Sequence, residues 1–266
     1  MHHQRNTLQL PALSSFGLQS FSWPALLATG VLLLATPLAA HAELTALQIL
    51  DKADDKLDIK NSRVDLEMLV YRNKELRKTY HMTLQYQDAD HTMVETTFPP
   101  RNEGEKMLQS SRRNYWLFLP NINRAIRISE SNNFSSSDFS NSDILSPRLS
   151  NEYTPKLLNT ETVNQEEAYK LELVAKDDST PYAKIVYWVR KSDFFPLRRD
   201  YYTFSQQLLK RLDIAVTTDV MHGKPDTLMM SSVLERDKKT VIRYLKYTGN
   251  QQYPDGSFHQ DSLMKR

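Results

Sequence analysis

The sequence predicts a mainly β, antiparallel fold, and three observations point to it. Apolar residues alternate with polar ones at period two in one segment after another. These segments recur about every ten residues with polar turns between them. No helical periodicity falls between consecutive strands, so βαβ units and a parallel sheet are not expected.

One helix precedes the strands, over 45–58. Thr45-Ala-Leu-Gln48 has the spacing of a capping box, and Leu44 and Ile49 are placed as a hydrophobic staple. Leu47, Leu50, Ala53 and Leu57 form the apolar stripe, which leaves Asp51, Lys52, Asp54 and Asp55 toward water. The period then changes to two. Val64, Leu66, Met68 and Val70 alternate with Arg63, Asp65 and Glu67, and Tyr80, Met82, Leu84 and Tyr86 repeat the pattern. The polar turn at 72–75 joins the two as a hairpin with one buried face. Further strands are expected at 92–97, 106–110, 115–119, 124–128, 169–173, 184–189, 197–204, 208–216, 228–234 and 241–247. A closed barrel, a sandwich and an open half-barrel all satisfy this periodicity. The stretch 129–165 interrupts the series. It is rich in Ser, Asn and Asp, carries Phe134 and Phe139, and suggests a short helix at Asp143 capped by Ser140. An insert of this length points to a functional flap.

The first 42 residues read as a secretory leader. Arg5 is the one charge before Trp23, an apolar run spans 25–35, and Ala40-His41-Ala42 supplies a cleavage site after Ala42. The run is shorter than the roughly 20 apolar residues of a membrane span. Glu43 follows the site where a lipoprotein needs cysteine, and the chain has no cysteine, so a periplasmic product without a lipid anchor is expected. Residues 43–266 are long enough for one large β domain or two smaller ones, stabilised by a core rather than by disulfides. Without Arg5 the basic and acidic residues number 33 and 32 and are dispersed, so no nucleic-acid footprint is expected.

Little in the chain suggests chemistry. Gly104, Gly223, Gly249 and Gly256 form no phosphate-binding loop, and His81, His91, His222 and His259 have no metal-ligand spacing. There is no G-x-S-x-G elbow. Asp138 and Asp143 read as caps in a flexible segment before they read as an acid–base pair. No catalytic residue, metal or cofactor is expected. The apolar and aromatic content is either ordinary core or the lining of a cavity, since one short helix cannot cover the face of about ten strands. Methionine suits a flexible apolar ligand.

The block 115–144 carries the most specific pattern. Gly104-x-x-Met107-Leu108, then WLFLPNINRAIRIS and FSSSDFSNSDI, resemble the LolA-like family of outer-membrane lipoprotein-sorting proteins. YAKIVYWVRK at 182–191, Phe195-Pro196-Leu197, Leu208-Leu209-Lys210, Gly223-x-Pro225 and Phe258 continue it, so the resemblance covers about 45–263. The family usually has glycine where Ser136 stands and near Gln206 or Gln207. The resemblance implies a single domain over 43–266, a strongly curved antiparallel sheet forming an incomplete half-barrel, with an N-terminal helix and a short helical lid, about 129–165, over an apolar cavity. It implies a soluble, non-enzymatic periplasmic carrier for a lipid or lipidated protein, moving between envelope membranes. Its expected partners are lipid or lipoprotein acyl chains and an inner-membrane receptor or exporter of the RND type, and a monomer is expected. The alternative is a lipid-sensing regulatory module of the envelope. The expected cargo-binding residues are Met68, Val70, Met82, Leu84, Trp116, Phe118, Phe134 and Phe139. Phe134 and Phe139 are either a plug competing with cargo or staples that tie down the flap. Trp116 and Phe118 share one strand face, opposite Tyr115 and Leu117, and periodicity does not say which face is lined by cargo.

Overall fold

The computed structural model describes residues 43–145 and 148–264, and the expected leader and its cleavage after Ala42 lie outside the described residues. Helix α1 (Ala46–Leu57) opens on its capping box: Thr45 Oγ1 accepts from Gln48 N at 3.2 Å, and Gln48 Oε1 accepts from Thr45 N at 2.9 Å. Its buried stripe is Ile49, Leu50, Ala53 and Asp54. That corrects the stripe read from the sequence. Leu47 is 50 % exposed and Asp54 only 2 %. The helix docks against the chain at 149–151, where the Asp54 carboxylate takes the amide of Ser150 at 2.8 Å.

Thirteen antiparallel strands follow in one sheet. The outgoing wing is β1 (Ser62–Arg72), β2 (Glu75–Asp88), β3 (His91–Phe98), β4 (Lys106–Ser111), β5 (Asn114–Leu119) and β6 (Arg124–Ile128). The returning wing is β7 (Tyr153–Val163), β8 (Glu166–Ala175), β9 (Lys184–Arg190) and β10 (Pro196–Tyr202). It closes with β11 (Leu208–Ala215), β12 (Thr227–Ser232) and β13 (Lys239–Thr248). The order is β6-β5-β4-β3-β2-β1-β13-β12-β11-β10-β9-β8-β7. The chain therefore starts at the centre, winds out to one edge, crosses to the other and winds back until β13 pairs β1. Register shifts at Asp65/Leu66, Val70/Tyr71, His81/Met82 and Tyr201/Tyr202 mark bulges, the device that bends a sheet. The sheet is not closed into a barrel, as the half-barrel expectation required.

The stretch read as irregular over 129–165 is irregular only as far as Glu152. From Tyr153 it is the edge strand β7, which the sequence reading missed. Tyr153, Pro155 and Leu157 alternate with Thr154 and Lys156 and turn inward, but Pro155 argues locally against a strand and the polar run 159–162 breaks the alternation. Ser136 (φ 61°) and Gln206 (φ 62°) occupy left-handed backbone where the resemblance expects glycine. Both turns keep the geometry glycine takes most easily.

Two cores form, one on each face. The larger joins α1 to Val64, Leu66, Met68 and Val70 of β1, Met82 and Leu84 of β2, and the inward residues of β9–β13. The smaller packs Leu108, Trp116 and Phe118 under the C-terminal residues Phe258 and Leu263. Ion pairs tie the β4–β5 turn to the start of β7 across the open side of the sheet. Arg112 Nε donates to Glu152 Oε1 at 2.7 Å, and Arg113 donates to Glu152 and to Asp177.

Burial raises the Glu152 carboxyl, but the hydrogen bonds from Arg112 and Arg113 outweigh that and hold it below the ordinary glutamate value. A carboxylate depressed in the folded state adds stability above its unfolded value of about 4.3, and that stability is lost as pH falls through the folded value. Glu152→Gln is therefore expected to flatten the acid limb of the stability–pH curve below about pH 4 while lowering stability at neutral pH, as read by urea titration. Phe118→Ala should cost about 3 kcal/mol through the smaller core, measured the same way.

Candidate functional site

Because β6 and β7 are the two edges, the chain between them must cross the concave face. That crossing, 129–152, places Phe134, Phe139 and the short helix α2 (Asn141–Leu145) inside the half-barrel. The rings of Phe134 and Phe139 are almost wholly buried in the larger core. Ser140 caps α2 as expected: its amide donates to Asp143 Oδ2 at 2.8 Å, and its hydroxyl accepts from Asp143 N at 3.3 Å.

Two aspartates fasten this flap to the sheet. Asp143 Oδ2 also takes Lys210 Nζ of β11 at 2.9 Å and the Tyr182 hydroxyl at 2.8 Å. Asp138 Oδ2 takes Arg72 Nη1 at 3.0 Å and the Thr240 hydroxyl at 2.7 Å, with Lys238 Nζ at 3.7 Å from Oδ1. Lys210 Nζ further donates to the Asp138 carbonyl at 2.9 Å. Both aspartates cap or pair, and neither stands free as an acid or base. Burial raises the phenol of Tyr182 far above the ordinary tyrosine value, so it remains a hydrogen donor to Asp143.

Behind the flap lie three small cavities. One of about 60 Å³ is bounded by α1, Phe139, Ile144, Leu212 and Tyr244. A second, about 40 Å³, lies against Tyr115, Asp143, Tyr153 and Tyr201. A third, about 10 Å³, is lined by Met68, Met82, Leu84, Phe134 and Ile144. Ile144 borders the first and third, and Asp143 borders the first and second. The flap's own side chains thus stand between neighbouring compartments the size of a few waters, of which the third is apolar and the second is bordered by Arg113, Glu130, Arg148, Glu152 and Arg199. Arg199 borders the first two cavities from inside. Its Nη2 donates to the Tyr187 hydroxyl at 3.1 Å and its guanidinium lies 4.6 Å over that ring. Burial raises the nearby Asp54 carboxyl above its ordinary value, against the pull of the Ser150 amide and the Arg199 charge.

Six of the eight residues expected at the site come together in the larger core: Met68, Val70, Met82, Leu84, Phe134 and Phe139. Val70 packs there without bordering a cavity. Trp116 and Phe118 do not join them. They lie on the opposite face, under Phe258 and Leu263, and it is Tyr115 that β5 turns inward. Sequence reasoning missed Arg199 and Lys210, although a signal existed. Each sits at an inward position of an apolar alternation, Leu197-x-Arg199-x-Tyr201 and Lys210-x-Leu212-x-Ile214. Among the described residues, no group of three or more His, Asp or Glu is placed to hold a metal ion. No described helix is long and apolar enough to cross a membrane.

A family model described as "-like: Uncharacterized protein" matches residues 88–265. The structure is similar to that of a LolA superfamily protein from Nitrosomonas europaea. The TM-score is 0.74 at 26 % identity, covering 83 % of this chain and all of that one. It is also similar to a domain from Vibrio parahaemolyticus described as an outer membrane lipoprotein-sorting protein, with a TM-score of 0.73 at 22 % identity, covering 83 % and 98 %. A DUF1329 family protein from Desulfovibrio piger gives 0.71 at 23 %, covering 82 % and 97 %. No curated protein matches the chain.

Asp143→Ala strands Lys210 in the interior without its carboxylate and should cost about 3–5 kcal/mol. Hydrogen exchange should quicken first at 133–145, before the strands of the sheet.

Proposed function

The chain belongs to the family whose model spans 88–265, on the fold of the LolA superfamily, and from that premise we propose that it carries acyl chains of a lipid or lipidated protein between envelope membranes. In this reading residues 1–42 are a leader, the mature chain works in the periplasm, and an inner-membrane receptor or exporter loads it. The observation that carries the proposal is the interior itself. Apolar side chains of both wings face a space that Phe134, Phe139 and Ile144 fill, and lifting the flap would join three cavities into one.

The energetics suit a carrier that must also let go. A 16-carbon chain gains on the order of 12 kcal/mol if fully sheltered, at about 0.8 kcal/mol per CH₂. Expelling two phenylalanine rings returns about 1.5–3 kcal/mol each, and opening the Asp143 pair costs about 3–5 more. Most of the gain is offset, so affinity is modest and transfer can run downhill without a nucleotide.

Mass spectrometry of organic extracts from the purified protein should find bound lipid, and a fluorescent fatty-acyl probe should be taken up. Neither lipid nor uptake would sink the carrier reading. Phe139→Ala, which weakens the competing plug, should tighten probe binding about tenfold, whereas Leu84→Asp should abolish it. A stable protein complex with no transfer of probe between vesicles would instead favour the regulatory module.

A further inference from the structure

Three neighbouring hairpins end at the same end of the sheet: β1–β2 at 72–75, β10–β11 at 203–207 and β12–β13 at 233–238. Their tips carry apolar side chains that the described residues leave about half exposed. Leu76 is 50 % exposed, Phe204 54 %, Val233 48 % and Leu234 58 %. Around them the segments 72–78 and 233–239 hold seven basic residues against three acidic ones. Lys74 lies 3.9 Å from Asp237 across the first and third hairpins, so these tips are adjacent. A chain with near-balanced charge thus concentrates cations beside apolar residues at one end.

The same cations hold the flap. Arg72 and Lys238 are the charged partners of Asp138. A cleft of about 230 Å³ runs between the flap at Asn133 and Asp138 and the third hairpin at Leu234 and Lys238. It opens a solvent path from the tips to the latch.

We propose that these three hairpin tips dock the protein on an anionic phospholipid surface, where Arg72 and Lys238 exchange the Asp138 carboxylate for lipid phosphates and so loosen the flap. The pattern favours a bilayer over a protein partner. The apolar residues are spread over three tips, Leu76, Phe204 and the pair Val233-Leu234, and the first and third tips add long cationic side chains that can reach headgroups while the tips enter the acyl boundary. Protein hot spots favour Trp, Tyr and Arg in a packed centre, with Leu and Val depleted. Guanidinium and ammonium groups bind phosphate as well as carboxylate, so the exchange costs the cations little. Docking at the surface would open the interior where lipid is available.

The test is co-sedimentation of the protein with vesicles of phosphatidylglycerol and phosphatidylethanolamine, and with phosphatidylcholine vesicles for comparison, alongside hydrogen exchange at 133–145. Binding to the anionic vesicles alone, weakened by salt, is expected, with faster exchange at 133–145 in their presence. Phe204→Ser combined with Leu234→Ser changes two exposed side chains and should weaken vesicle binding at least about tenfold with unfolding unchanged. No binding, equal binding to neutral vesicles, or an unaffected double variant would overturn the docking surface. So would capture of the tips by an acidic protein in place of vesicles. Binding without faster exchange at 133–145 would overturn the exchange at Asp138. Uptake of an acyl probe from solution needs no vesicle, so the carrier reading can survive the loss of this one, and the reverse.

Discussion

The crossing from β6 to β7 is the constraint from which the rest of the molecule follows. A sheet that winds outward from its centre, and must then be rejoined from the far edge, has to send one connection from edge to edge, and here it runs over the face that holds the larger core. That connection cannot be a bare loop, because its backbone polar groups would be buried without partners. It meets the requirement with a capped turn of helix and with Asp138 and Asp143, whose carboxylates accept from Arg72, Thr240, Lys210 and Tyr182. Phe134, Phe139 and Ile144 then enter the interior because the anchors on either side of them are fixed.

The interior is apolar yet holds several groups that cost free energy to bury. Arg199, Asp54 and Lys210 all lie inside or at its margin. Among the described residues, Arg199 Nε and Asp54 Oδ1 have no hydrogen-bond partner. A core selected for stability alone would replace such groups with aliphatic residues, often at no loss. Here the charges do something a leucine cannot. Lys210 holds the flap through Asp143 and the Asp138 carbonyl, Asp54 fastens Ser150, and Arg199 pairs with Tyr187 at the cavity walls.

The two faces of the sheet divide the labour. The convex core under Phe258 and Leu263 gives β4–β6 a hydrophobic backing independent of the interior. The Arg112–Glu152–Arg113 cluster joins the wings where strand hydrogen bonds do not. The convex core lies on the face away from the flap, while Arg113 and Glu152 also border the second cavity, so the cluster joins the wings at the rim of the interior.

The sequence alone carried the strands whose one face is dry, the capping box at Thr45, the cap at Ser140, and the flap with its two phenylalanines. Each is a local pattern, in which period, cap spacing or composition states the structure without reference to anything distant. Strand β7 was not legible, because Pro155 argues against a strand and the polar run 159–162 breaks the alternation begun by Tyr153, Pro155 and Leu157. The side of β5 that faces inward was not legible either, since alternation separates Trp116 and Phe118 from Tyr115 without saying which set is inside. Asp54 was read as solvated because an acid on a helix is usually wet, and only the chain at 149–151 supplies the amide that lets it be buried. Which cations the flap's aspartates meet depends on bringing together residues 66 to 100 positions apart. Pairing at that distance is a property of the curved sheet and not of any segment, so tertiary structure decided it.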